Sequence, residues 1–137
     1  DAEVRFHAAY CLGHASHTAA VSTLRRLLRE DRAEDVRQAA AQSIYAASQI
    51  NSYPHAPILD DFEIVLNDDG SRKVREEVVI SLANFLKSSE VNRAQIMLES
   101  ALEDSAEIVR EQAAISLSVL RDEVWHHDDP VLHPGEH

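Results

Sequence analysis

The sequence predicts an all-α chain, a solenoid of about seven helices, and three observations carry that prediction. A Val-Arg pair occurs four times, at Val4-Arg5, Val36-Arg37, Val74-Arg75 and Val109-Arg110, at intervals of 32, 38 and 35 residues. The same apolar spacing follows each pair: four past each Val come Ala8, Ala40, Val78 and Ala113, five past it Ala9, Ala41, Val79 and Ala114, and eight past it Leu12, Ile44, Leu82 and Leu117. Offsets of zero, four and eight follow the helical period, so each block is an amphipathic helix whose stripe of small residues allows close packing. Repetition at this length is that of stacked helical units. The third observation is composition: apolar residues make up 45% of the chain but aromatics only 5%, so the core is built from Ala, Val, Leu and Ile, which suits helix packing better than a sheet sandwich.

In chain order, residues 1–14 form the first patterned helix, with Asp1 as N-cap and Gly13 near its end. A polar turn follows. Residues 18–30 place Val21, Leu24, Leu27 and Leu28 on one face and Arg25, Arg26 and Arg29 on the other. The second patterned helix covers about 33–49. Pro54 and Pro57 fit only a loop or a first turn, so the next helix covers about 57–67 with Ile58, Leu59, Phe62, Val65 and Leu66 as its stripe. The third patterned helix covers roughly 72–87, Ser88-Ser89 caps a helix over 90–103, and the fourth patterned helix covers about 105–122. Two regions result, a solenoid over 1–121 and a tail over 122–137. The tail holds Pro130, Pro134, Gly135 and four of the eight His; Trp125, Val131 and Leu132 give it apolar surface with which to fold back over the last helix.

Thirteen Lys plus Arg against twenty-four Asp plus Glu gives a net charge of −11, which argues against nucleic acid and anionic lipid surfaces as partners. No apolar run approaches the roughly twenty residues of a membrane span, and no signal-peptide pattern is present. A single Cys rules out an internal disulfide framework and agrees with a cytoplasmic location. The chain opens at Asp1, without Met, directly into a repeat helix. That raises a structural role as a piece of a larger solenoid, with self-association through a bare first helix at Phe6 and Tyr10.

Asp31, Asp69 and Asp104 each lie six residues before Arg37, Arg75 and Arg110. An Asp in the turn between two helices, then Val-Arg, then an Ala-rich second helix, resembles the HEAT repeat, particularly the short HEAT-like variety of phycobilisome lyases, over residues 1 to about 121. The resemblance implies a right-handed α-α superhelix. It also implies a ladder in which Asp31, Arg37, Asp69, Arg75, Asp104 and Arg110 tie successive turns together as structural residues. Arg5 departs from the pattern, because its matching Asp would precede residue 1; Asp1 is the available stand-in. The resemblance brings an alternative function as well, a bilin lyase or lyase-like subunit acting on a tetrapyrrole, although those proteins are longer and work with a second subunit. The iron-carrying hydroxylases of this repeat class are marked by His-Glu pairs, and none occurs here. The repeat-built DNA glycosylases have a basic, aromatic inner face, which the charge of this chain opposes.

No catalytic, cofactor or metal residue is assigned. Cys11 occupies the slot filled by Ser43, Ser81 and Ser116 in the other copies, so it reads as a small packing residue although His7 and His14 flank it. His126, His127, Asp128, Asp129, His133 and His137 have ligand chemistry suited to zinc or nickel, yet their spacing matches no metal motif and prolines break the segment. His7, His14 and His17 read as exposed residues of the first helix.

What the repeats do not share is the surface two, three, six and ten residues beyond each Val, which in the resembled family lines the inner curve. Phe6, Gln38, Glu76 and Glu111 come first, then His7, Ala39, Glu77 and Gln112, then Tyr10, Gln42, Ile80 and Ile115, then His14, Ala46, Asn84 and Val119. Of these, Tyr10, Gln42, Glu76, Glu77, Ile80, Asn84, Glu111, Ile115 and Val119 are the candidate partner-binding residues. An apolar side chain on a solvated ridge gains roughly 1.5 to 3 kcal/mol when a partner buries it fully. Alternatively, a slight turn of these helices places Ile80 and Ile115 in the ordinary core. The expected partner is a protein or peptide with basic and apolar residues, held without chemistry.

Overall fold

The computed structural model describes the backbone of residues 1–128 and the side chains of residues 1–122. Seven helices and no strand occur among the described residues: α1 Ala2–Leu12, α2 Ala20–Glu30, α3 Glu34–Ile50, α4 Ala56–Asp68, α5 Arg72–Phe85, α6 Val91–Ala101 and α7 Glu107–Asp128. The odd-numbered helices carry the Val-Arg pattern and form one layer, in which α1 packs on α3, α3 on α5 and α5 on α7. The even-numbered helices form the second layer, α2 against α4 and α4 against α6, and each even helix also packs on the odd helix that follows it. The chain is thus a helical solenoid.

Local chemistry sets the helix ends. The Asp1 carboxylate accepts the Glu3 N–H at 2.8 Å, and the Ser71 hydroxyl accepts the Val74 N–H. Pro57 stands in the first turn of α4, where its missing N–H removes a donor without an intrahelical partner. α6 starts without a side-chain cap of its own; the Ser88 hydroxyl accepts the Glu90 N–H just ahead of it. Gly13 closes α1 at a point of close approach, because a Cβ there would lie 3.0 Å from Cβ of Ser43. Helix α7 runs to Asp128, past the end near 122 expected from the sequence. Residues 122–128 contain neither Gly nor Pro, and the first breaker is Pro130. The proposed fold-back of Trp125, Val131 and Leu132 and the acidic His cluster of residues 126–137 lie outside the described side chains. His14 and His17, expected on the first helix, are exposed but follow its end.

The core is aliphatic in its middle and aromatic at one point. Val36, Ala40, Ala41, Ile44, Val74, Val78, Val79 and Leu82 are buried at the slots the repeat reserves for them. The end helices fill only half of those slots: Ala9 is buried while Val4 is 64% exposed and Ala8 is also exposed, whereas in α7 Val109 and Ala113 are buried and Ala114 is exposed. The zero and four offsets therefore face the preceding helix of the layer, and the five offset faces the following one. Phe85 is the aromatic centre, with ring centroids 5.1 Å from Tyr45, 4.9 Å from His55 and 5.6 Å from Phe62, all near edge-to-face. This cluster anchors the loop between α3 and α4. The same loop is tied down by Asn51, whose side-chain amide donates to the Ala15 and Ala47 carbonyls.

Candidate functional site

Two constellations combine residues from several repeats, an Arg–Asp chain inside the turns and an open face on the odd-numbered layer. In the first, Asp31 and Asp69 are the C-caps of α2 and α4 and Asp104 follows the end of α6, and each accepts the backbone N–H two residues on, from Ala33, Ser71 and Ala106, at 2.9 Å in all three cases. That turn aims each carboxylate back toward the previous unit. Arg37 donates Nε and Nη2 to Asp69 at 2.8 and 3.2 Å and Nη1 to the Asp31 carbonyl at 2.8 Å. Arg75 repeats the arrangement on Asp104 at 3.0 and 3.1 Å and on the Asp69 carbonyl at 2.9 Å. These are bidentate forks, the planar match of guanidinium and carboxylate. Each Arg therefore spans two units: its own turn through a carbonyl and the next turn through a carboxylate.

Arg5 corrects the expectation placed on it. Its guanidinium forks onto Asp31 at 2.7 and 3.2 Å, so its carboxylate lies in the following turn and Asp1 is not the stand-in. Asp1 caps α1 instead. At the other end, Arg110 donates Nη1 to the Asp104 carbonyl at 2.7 Å. The hydrogen bond from Arg5 holds the Asp31 carboxyl below its ordinary value, aided by the Ala33 N–H and against the effect of burial. Burial would raise the Asp104 carboxyl, but the bonds from Arg75 and the Ala106 N–H, with the charges of Arg75 and Arg110, bring it below. In Arg37 and Arg75 the Nε, Nη1 and Nη2 groups are all engaged within the ladder.

A second ion-pair cluster was not foreseen. Arg25 and Arg29, assigned to the solvated face of α2, reach across to Asp61 of α4 at 2.6 and 3.4 Å, and Arg25 also donates to the Tyr53 hydroxyl at 2.9 Å. Asp61 is 1% exposed. The available signal was an acidic residue within the buried stripe of α4, between Ile58 and Phe62, since a carboxylate is kept in such a place only when cations meet it.

The open face is graded. Between α1 and α3, Tyr10 donates its hydroxyl to Gln42 Oε1 at 2.8 Å, and Phe6 stacks edge-on to Tyr10 with centroids 4.9 Å apart while packing on the core. Phe6 is therefore partly buried, not bare as expected of a self-association surface. Ala39, expected on this face, is buried. Its offset of three is the shoulder of the helix against its neighbour, where Glu77 and Gln112 are also half-buried. Burial pushes the Glu77 carboxyl above its ordinary value, and the charge of Glu76 adds to the rise, while a hydrogen bond with Gln38 opposes it. Glu76 is half-buried, and Glu111 and Asn84 are exposed.

At the far end the face is apolar. Ile80 is 40% exposed, Ile115 57% and Val119 52%. With Ala83, Leu86, Lys87, Gln112 and Leu120 they line a groove of about 250 Å³ between α5 and α7. Ile80 and Ile115 thus stand on the surface, where a side chain available to a partner must stand. Glu76 lies one helical turn before Ile80, and Glu111 one turn before Ile115. The groove therefore has an acidic end, an apolar middle and Lys87 toward its other end. Among the described residues no group of His, Cys, Asp and Glu is arranged to hold a metal ion, and no helix is long and apolar enough to cross a membrane.

Comparison with known proteins agrees with this geometry. No curated protein and no solved structure matches the chain. A family model described as HEAT repeats matches residues 1–83, which span α1 through most of α5. With more than half of the chain inside that match and the repeat unit continuing through α7, the chain belongs to the HEAT repeat family.

Proposed function

We propose that the chain is a non-enzymatic cytoplasmic scaffold that holds a partner protein or peptide on the open face of its odd-numbered helices, the inner curve of the solenoid. HEAT repeats generally mediate protein–protein interaction. The observation that carries the finer reading is the grouping of Ile80, Ile115 and Val119, all exposed, along one groove between neighbouring helices. Covering the exposed part of each returns on the order of 1 kcal/mol, enough together to anchor a partner whose remaining contacts supply specificity. Glu76, Glu77 and Glu111 beside them favour a partner with basic as well as apolar residues, so added salt is expected to slow association more than release.

The test is affinity capture with the parent chain and with an Ile80→Arg, Ile115→Arg variant first shown by circular dichroism and melting to be folded. A partner held by the parent and lost from the variant is the expected result. An unchanged captured set would move the site away from this groove.

A further inference from the structure

We infer that the groove between α5 and α7 takes an amphipathic α-helix of about three turns, lying antiparallel to α5 and α7 with Lys or Arg in its last turn. This rests on the groove being the partner site proposed above, and it specifies the shape, direction and charge order of the occupant.

Shape follows from the walls. Both are α-helices whose backbone groups are already paired, and the groove floor is Ala83, Leu86, Ser116 and Leu120. An extended segment laid there would turn its N–H and C=O groups toward side chains that cannot pair with them, whereas a helix arrives with its backbone satisfied. From Glu76 to Lys87 the helix rise gives about 16 Å, the length of three turns.

Direction follows from charge. The acidic end, with Glu76 and Glu111 each one helical turn before Ile80 and Ile115, lies at the N-terminal side of the groove, and Lys87 lies toward the C-terminal side. Glu77 belongs to the other flank of α5, where it meets Gln38 of α3. Arg121 and Asp122, exposed beyond that level, offset each other. A helix running antiparallel brings its C-terminal end to the glutamates. Cations in its last turn then meet both the carboxylates and the negative end of their own helix dipole. A parallel helix with the same charges would set its cations against Lys87.

The experiment uses two synthetic, end-blocked, Ala-rich peptides with the same Leu stripe at i, i+3, i+4 and i+7. One carries two Lys in its last turn and the other carries them in its first. Binding to the full chain is read by fluorescence anisotropy. The first peptide is expected to bind about five- to tenfold more tightly, the effect of two partly exposed charge contacts changing sign. Because cations also alter peptide helicity, the deciding measurement is a Glu76→Lys, Glu111→Lys, Lys87→Glu chain, in which the preference is expected to reverse. The single Lys87→Glu change, at an exposed residue, narrows the gap even if the triple variant fails to fold. Equal binding, no binding, or a preference unchanged in both variants overturns the helix direction. Loss of binding in the Ile80→Arg, Ile115→Arg chain separates these results from failure of the groove itself, which is indicated if that chain still binds both peptides. A mass doubling in sedimentation, abolished by the same pair of substitutions, would make a second copy the occupant and also overturn the proposal.

Discussion

Glu77 and the turn aspartates respond to pH in opposite senses. Asp31 and Asp104 have carboxyls held below their ordinary 3.8. The stability they contribute is therefore present above that value and is lost as the pH falls through their lower folded-state values. Glu77 has its carboxyl above the ordinary 4.5. Ionising it costs more in the fold than in the unfolded chain, a cost absent below the ordinary value and complete once the pH exceeds the raised one. A Glu77→Gln chain is accordingly expected to melt higher than the parent at about pH 7 and at the same temperature near pH 4. Melting curves at the two pH values check this, and an equal gain at both would mean that packing, not ionisation, is the cause. The Asp residues and Gln38 were readable in the sequence as types, but the half-burial of Glu77 was not. An offset of three falls on the shoulder between neighbouring helices, and whether a shoulder is covered depends on how closely they approach.

Among the helices, the links are unequal. Arg37 is anchored by three hydrogen bonds to two turns, with both its guanidinium and the Asp69 carboxylate largely buried. Replacing it by Ala leaves Asp69 enclosed without its cation, which is expected to cost about 2–4 kcal/mol in denaturant unfolding. Arg5→Ala is expected to cost somewhat less, because this guanidinium is more exposed and lacks a preceding carbonyl contact, although the Asp31 carboxylate it leaves is as enclosed as that of Asp69. Equal losses would show that the forks act independently of enclosure. The spacing of Asp and Arg was legible because it recurs three times. The direction of each link was not, since six residues back along the chain and one unit forward in space are different neighbours and periodicity names only the first. The Arg25–Asp61 contact was hidden for a related reason: it occurs once, so no repetition marked it.

For the whole molecule, interactions pass between neighbouring helices within each layer and across the two layers, so stability is a sum of units and interfaces. Helices α3 and α5 are enclosed on both flanks, while α1 has its zero and four offsets open at Val4 and Ala8. Hydrogen exchange is expected to be slowest in α3 and α5 and fastest in α1, with the order checked by mass spectrometry of peptic fragments. Uniform protection from α1 to α6 would instead mean that the layers open as one. The architecture was readable because every repeat votes for it, four copies of the apolar spacing outweighing any ambiguous segment. Helix ends were less so: the sequence placed the close of α7 at a change of composition near 122, but residues 122–128 hold no Gly or Pro to interrupt the backbone, and the helix runs through them.

Cys11 follows from the same enclosure. Ser43, Ser81 and Ser116 hold its slot in the other units and are buried, and the Ser81 hydroxyl donates to the Ala41 carbonyl at 2.8 Å. In α1 the slot faces outward, so the single thiol of the chain is exposed. A thiol-reactive dye would therefore label one position without any engineered substitution. It would sit on the opposite end of the layer from the α5–α7 groove, reporting the opening of α1 while leaving that groove untouched.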